Sequence, residues 1–148
     1  MKYEWHTQSH WSDLDPIVQV HGVCFDESGK ILIIREPDKD WHLVGGKPEG
    51  EESYLQTLRR EVLEETNIEI GKAEMIGYQK VTRDDYSVIY QLRFAALIKS
   101  VGPEQPDPTT GLTNERQFVS PEIIAQYITY NGITPIVHEA LRWLRANK

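Results

Sequence analysis

The chain has 148 residues, a formal net charge of −7, 39% hydrophobic and 26% charged residues. A chain of this length buries about 68–70% of its unfolded surface, enough to fold around its own core without staples, and the composition is that of an ordinary globular protein. The acidic balance excludes a nucleic-acid polymer as partner, no apolar run approaches the ~20 residues of a membrane span, and the N-terminus lacks the apolar core of a signal peptide.

A single domain over 1–148, cytoplasmic, as monomer or homodimer, is the expectation. Residues 1–15 interleave Tyr3, Trp5, His6, His10 and Trp11 among polar residues. The histidines lack a zinc-like spacing, so this reads as an N-terminal arm or strand laid over the domain or a partner subunit. Ile17 to Phe25 reads as a strand, Asp26 to Gly29 as a turn and Lys30 to Arg35 as a second strand, together a hairpin. Cys24, the single cysteine, lies inside the first strand and reads as a buried structural thiol. Glu36 to Asp40 is a polar loop, and Trp41 reads as packing.

The densest stretch runs from Gly45 to Ile68, GGKPEGEESYLQTLRREVLEETNI. Gly45, Gly46 and Gly50 with Pro48 make a loop whose backbone can approach a ligand closely. Ser53 then suits a helix N-cap, with Gln56 as capping-box partner, and Asn67, tolerant of the left-handed conformation, suits the C-cap. At about 100° per residue, Leu55, Leu58 and Val62 form the stripe that docks on a core. Glu61, Glu64 and Glu65 share the neighbouring arc. As a solvated face this would be poor design: Glu61 and Glu65 are like charges at i,i+4, Glu64 and Glu65 oppose the helix dipole at roughly 0.3–1 kcal/mol each, and Arg60 precedes Glu64 in the weaker order for an ion pair. A bound hard cation, Mg²⁺ or Mn²⁺, resolves the conflict.

The pattern Gly46, five residues, Glu52, seven residues, then Arg60-Glu61-Val62-Leu63-Glu64-Glu65-Thr66-Asn67-Ile68 resembles the signature box of the Nudix (MutT-like) hydrolases, here 46–68. Every charged position of that box is filled. The departures are Asn67 where the family usually has Gly, Val44 where many members have Pro, and Gly50 one place early. The resemblance implies an α/β fold, an α/β/α sandwich with a mixed β-sheet, and a Mg²⁺ or Mn²⁺ dependent hydrolase that uses more than one ion when substrate is bound. Glu61, Glu64 and Glu65 are expected to hold the metals, with the Gly45 carbonyl as an extra ligand. Arg60 is expected to orient the cluster and Glu52 to support it. Arg35, which is equally readable as a solvated edge charge, joins Gly46 and Lys47 as the substrate-binding set.

Downstream, Ile68 to Ile70 and Lys72 to Arg83 read as extended, turning through Asp84-Asp85 into Tyr86 to Lys99, a central strand. Val101 to Asn114, with Pro103, Pro106, Pro108 and Gly111, reads either as a solvated connector or as a lid. Glu115 follows; by the resemblance it stands where many members place a further glutamate, leaving the general base open between Glu61 and Glu115. Arg116 to Val119 reads as a short strand, Ser120-Pro121-Glu122 as a helix start, Asn131-Gly132 as that helix's end, and Thr134-Pro135 as the start of a last helix with Ile136, Val137, Ala140, Leu141 and Leu144 on its apolar stripe. The box helix should cover one side of the sheet and the last helix the other.

A pyrophosphate bond repels nucleophiles until its charge is neutralised, which carboxylate-held divalent ions do. The expected substrate is a small nucleoside diphosphate linked to another moiety: a nucleoside triphosphate, ADP-ribose, a nucleotide sugar or a dinucleoside polyphosphate. The alternative is a regulatory domain that binds a nucleotide without hydrolysing it.

Overall fold

Residues 1–129 and 132–148 are described in a computed structural model. Strands β1 (Lys2–Thr7), β2 (Ile17–Phe25), β3 (Ile31–Arg35), β4 (His42–Gly46), β5 (Ile68–Thr82), β6 (Val88–Val101) and β7 (Glu115–Val119) form one seven-stranded sheet in the order β1-β5-β6-β2-β4-β3-β7. β2 and β6 run parallel, from Ile17↔Tyr90 to Phe25↔Leu97. The other neighbours run antiparallel, so the sheet is mixed, as expected.

Alternation along the strands sends apolar side chains to both faces. One face carries Val23, Phe25, Ile31, Ile33, Leu43 and Ala95. It is covered by helix α2 (Ile133–Asn147) through Ile136, Val137, Ala140 and Leu144, with Leu141 partly buried beside them. The other face carries Val20, Cys24, Leu32, Ile34, Val44, Leu92 and Phe94 and is covered by helix α1 (Tyr54–Thr66) through Leu58 and Val62, with Leu55 half-buried alongside. This is an α/β/α sandwich. Burial alone pushes the Cys24 thiol up to about 12, so it stays protonated and packs as a small apolar group.

Several local expectations change. The hairpin holds only at its base, where Phe25 pairs with Ile31 and the Asp26 carboxylate accepts from the backbone N–H groups of Ser28 and Lys30. Beyond that β4, a strand the sequence reading did not resolve, inserts between β2 and β3. Tyr86 sits in the turn before β6 at φ 68° and is 88% exposed, so the central strand starts at Val88. Ser120-Pro121 starts a 3-10 segment, Pro121–Gln126, in place of a longer helix. Asn131 of the expected Asn131-Gly132 stop lies outside the described residues; Gly132, at φ 97°, is the N-cap of α2.

The aromatic N-terminal arm is largely strand. β1 pairs along β5 from Lys2↔Thr82 to Thr7↔Gly77, Trp5 packs on the α2-side core, and Trp11 meets Tyr54 edge-on at 5.4 Å. Trp5 is thus used on this chain itself, whereas Tyr3 and Trp11 stay 46% and 38% exposed. Among the described residues no helix is long and apolar enough to cross a membrane.

Candidate active site

α1 is bounded by the caps its sequence predicts. The Ser53 hydroxyl accepts from Gln56 N–H at 3.1 Å, the Gln56 amide oxygen accepts from Ser53 N–H at 2.8 Å, and Asn67 closes the helix at φ 55°, ψ 39°. The last turn holds no basic residue of its own. Its carbonyls are met from elsewhere in the chain: Asn114 Nδ2 donates to Glu65 O at 3.1 Å, Arg116 donates to Thr66 O, and Gly102 N–H donates to Asn67 O at 2.9 Å. Arg116 supplies from β7 the positive charge the helix C-terminus favours. The same bonds tie both ends of the 102–114 loop to the acidic end of α1.

Glu61, Glu64 and Glu65 line one pocket of about 270 Å³ together with Glu49, His42 and, from the loop, Asp107. Asp107 is only 6% exposed. Its backbone N–H donates to Leu112 O at 2.8 Å and its Oδ1 accepts from Thr109 N–H at 2.8 Å, so a compact turn presents this carboxylate to the pocket. Sequence reading missed it, because an aspartate between two prolines reads as ordinary loop. The loop itself is a wall of the site.

Arg60 organises the acids. Its Nε donates to Glu52 Oε2 at 2.6 Å and its Nη2 to Glu52 Oε1 at 3.1 Å, a two-bond fork, while Nη1 reaches Glu61 Oε1 at 2.9 Å and Glu64 Oε2 at 3.3 Å. Nη2 also donates to Lys47 O at 3.0 Å, which ties the glycine loop to the helix; the Lys47 side chain is exposed. The Arg60 hydrogen bonds hold the Glu52 carboxyl down at about 2, helped by the backbone N–H of Glu49. Glu61 is raised above the ordinary glutamate range, chiefly by burial and against the pull of Arg60. Glu65, more deeply set, is pushed up to about 8 by burial and then by its neighbours Glu61, Asp107 and Glu64, although Gly45 N–H donates to its Oε1 at 3.0 Å.

The glycines leave room for this arrangement. A Cβ on Gly46 would lie 2.5 Å from the Glu61 carboxyl carbon, and one on Gly45, at φ 148°, would lie 2.1 Å from Val20 O.

Arg35 and Glu115 are brought together, but elsewhere. They are partners in the β3–β7 register, Arg35 Nε donates to Glu115 Oε2 at 2.6 Å, and the guanidinium stands 4.5 Å over the Trp41 ring. Strand alternation puts this pair on the α2 face, whereas the carboxylates of α1 gather on the other. Glu115 was placed by chain position, and the strand register decides its side.

Among the described residues no three His, Cys, Asp or Glu side chains are drawn to ligand distance around one point; the space between Glu61 and Glu64 is held by Arg60. The donors nevertheless suit a hard divalent cation. They are carboxylate oxygens, and Glu65, raised chiefly by burial, is raised further by the neighbouring acids Glu61, Asp107 and Glu64.

A curated relative, a MutT-like protein from Streptomyces ambofaciens, is 36% identical over 78 residues, 51% of this chain and 51% of the relative, so the match spans about half of the relative's length. Among solved structures, a mutant of the Bacillus subtilis pyrophosphohydrolase BsRppH matches with TM-score 0.74 at 22% identity, over 95% of this chain and 89% of that one. A NUDIX hydrolase from Nitrosomonas europaea matches with TM-score 0.66 at 24% identity, over 90% of this chain and 91% of that one. Identities this low bear on the fold alone. The sequence profile of the NUDIX domain matches residues 15–143, which takes in strands β2 to β7, the whole of α1 and most of α2. With the acidic pocket lying inside that span, the chain belongs to the NUDIX domain family.

Proposed function

We propose that the chain is a Mg²⁺ or Mn²⁺ dependent hydrolase that cleaves the pyrophosphate bond of a nucleoside diphosphate linked to another moiety. The observation that carries this reading is the convergence of Glu61, Glu64 and Glu65 on one pocket with Asp107, under the fork of Arg60 and Glu52. These four acids, with Glu36 and Glu49 also lining the pocket, repel one another, and an anionic diphosphate would be repelled as well unless cations stood between them. A divalent cation held by Glu61, Glu64 and Glu65, with the Gly45 carbonyl as a further ligand, would supply charge neutralisation and acidify a water.

The remaining work falls to the chain. Glu52 keeps Arg60 in place, and Arg60 sets the rotamers of Glu61 and Glu64. Gly46 and Lys47, at the mouth of the loop beside the helix, receive the phosphates. Of the two acids considered as base, Glu61 is the better placed to accept the proton of an attacking water: its carboxylate lines the pocket and its proton affinity is raised. The Arg35–Glu115 pair on the opposite face serves β3–β7 pairing.

Incubating a panel of nucleoside triphosphates, ADP-ribose, nucleotide sugars and dinucleoside polyphosphates with the protein, with Mg²⁺ and with chelator, tests the reading by product chromatography. Metal-dependent cleavage that falls by at least about a hundredfold in Glu64→Gln and Glu65→Gln, with unchanged circular dichroism, is expected. Near-normal turnover in both variants would overturn the assignment. Metal-dependent binding without cleavage of any member would leave a regulatory domain.

A further inference from the structure

Asn67 closes α1 at φ 55°, a conformation for which Gly is the default residue. What Asn adds at this position is a carboxamide, and the structure uses it: Asn67 Nδ2 donates to Pro103 O at 3.0 Å, 36 residues further along the chain. The fit there is close. Gly102 N–H donates to Asn67 O at 2.9 Å, and a Cβ on Gly102 would lie 2.9 Å from the Asn67 Cγ. The entrance of the 102–114 loop is therefore laid against the cap of α1.

Asp107 follows four residues beyond Pro103. Among the described residues the only other polar tie between the two is the ion pair of Glu104 with Arg116, at 3.8 Å and with Glu104 55% exposed, a contact worth little by itself. On the far side the turn from Asp107 to Leu112 is closed within itself, Gly111 N–H donating to Asp107 O at 2.7 Å, and Asn114 reaches back to Glu65 O. The Asp107 carboxylate thus stands at the pocket on a span held by Asn67 at one end and by Asn114 at the other. Both fastenings lie at the end of α1 that carries Glu64 and Glu65.

We propose that Asn67 is a positioning residue for the divalent cation of the acidic pocket: its carboxamide holds the loop entrance, and the loop holds Asp107 beside Glu61, Glu64 and Glu65. The inference rests on the metal reading of that pocket and deepens it, because it names what keeps the loop carboxylate there. A carboxylate already in place when the ion arrives costs no loop ordering at the moment of binding. Groups that orient a metal-facing side chain from behind set metal affinity by about 10–100-fold.

The Mn²⁺ affinity of the full chain, read from the free-ion signal in electron paramagnetic resonance with no nucleotide present, tests this in a double-mutant cycle. Asn67→Gly keeps the left-handed cap and removes only the carboxamide. Asp107→Asn keeps the acceptor for Thr109 N–H and removes only the charge. Each is expected to weaken Mn²⁺ binding about tenfold with an unchanged circular dichroism spectrum, and the double variant to bind no more than about threefold more weakly than Asp107→Asn alone. A residue that merely capped the helix would lower the melting temperature and leave Mn²⁺ affinity where it was. Binding by Asn67→Gly within about threefold of the wild type would overturn the proposal, as would independent losses reaching about a hundredfold in the double variant, or a wild type that holds no Mn²⁺. If the cycle couples as expected but no diphosphate is cleaved with metal present, the hydrolase reading fails and this one stands. Metal-dependent cleavage with uncoupled variants keeps the hydrolase reading and removes this one.

Discussion

Gly45 and Gly46 are neighbours with opposite sensitivities. A Cβ on Gly45 meets backbone, Val20 O at 2.1 Å and His21 Cα at 2.6 Å, and neither can retreat without disturbing the β2–β4 pairing. One on Gly46 meets the far end of the Glu61 side chain at 2.5 Å, which can swing away. Gly45→Ala should therefore cost stability, roughly 1–3 kcal/mol or more, seen as a melting temperature lower by about 5–10 °C. Gly46→Ala should melt within about 3 °C of the wild type yet lose at least about tenfold in kcat/KM, because Glu61 is evicted from its place beside Arg60. Full turnover in Gly46→Ala would mean that the position of Glu61 is immaterial. The sequence shows both glycines as loop formers, but which atoms crowd them depends on strands that meet only in three dimensions. Asp107 and Arg116 were invisible for the same reason: each acts on α1 from far along the chain, and neither belongs to a local pattern.

α1 was the most legible element, since its caps, stripe and acidic arc are all local. Its energetics with pH follow from two of its neighbours in charge. Glu52 is depressed to about 2 in the folded chain, so its contribution is present above the unfolded value near 4.5 and is lost as pH falls toward 2. Glu65 is raised to about 8, so between about 4.5 and 8 the folded chain binds more protons than the unfolded one and stability declines as pH rises. In chelator, a stability maximum near pH 4.5–5 is expected, with a fall of up to a few kcal/mol by pH 8. Glu65→Gln should flatten that fall, and Mg²⁺ should reverse much of it by supplying the missing positive charge. Urea midpoints from pH 3 to 8 measure this; a flat wild-type profile above pH 5 would contradict it. Less was readable in the strands. β4 is five residues long and ends in two glycines, too short and too permissive for a periodicity. The hairpin reading of β2 and β3 followed correctly from the turn, but a turn fixes pairing only near itself, and β4 takes the rest.

Across the whole molecule the division into two faces matters most. One side of the sheet gathers acids around α1, the other holds Arg93 and the Arg35–Glu115 pair, and both apolar cores are built almost wholly from Leu14 onward. β1 adds an outer strand to β5 and lays Trp5 on the α2-side core. A chain lacking residues 1–9 should keep its circular dichroism spectrum, melt about 5–10 °C lower, and tend to self-associate through the bared edge of β5. A random-coil spectrum would show that β1 is indispensable to the sheet.

The parallel seam at the centre also sets the order in which the molecule can assemble. β2 meets β6 from Ile17↔Tyr90 onward, with β3, β4, α1 and β5 all lying between them in the chain. No tight turn can zip that pairing together, so a long loop must close before it is rewarded, and folding belongs with the slower, milliseconds-to-seconds regime of non-local topologies. α1, whose contacts begin locally, can be formed while its acids still face water. Asp107 and Arg116 reach them only once β6 and β7 have docked. A chain emerging from synthesis thus carries the carboxylates for much of its length as a harmless charged helix, and the closed acidic pocket comes into being last.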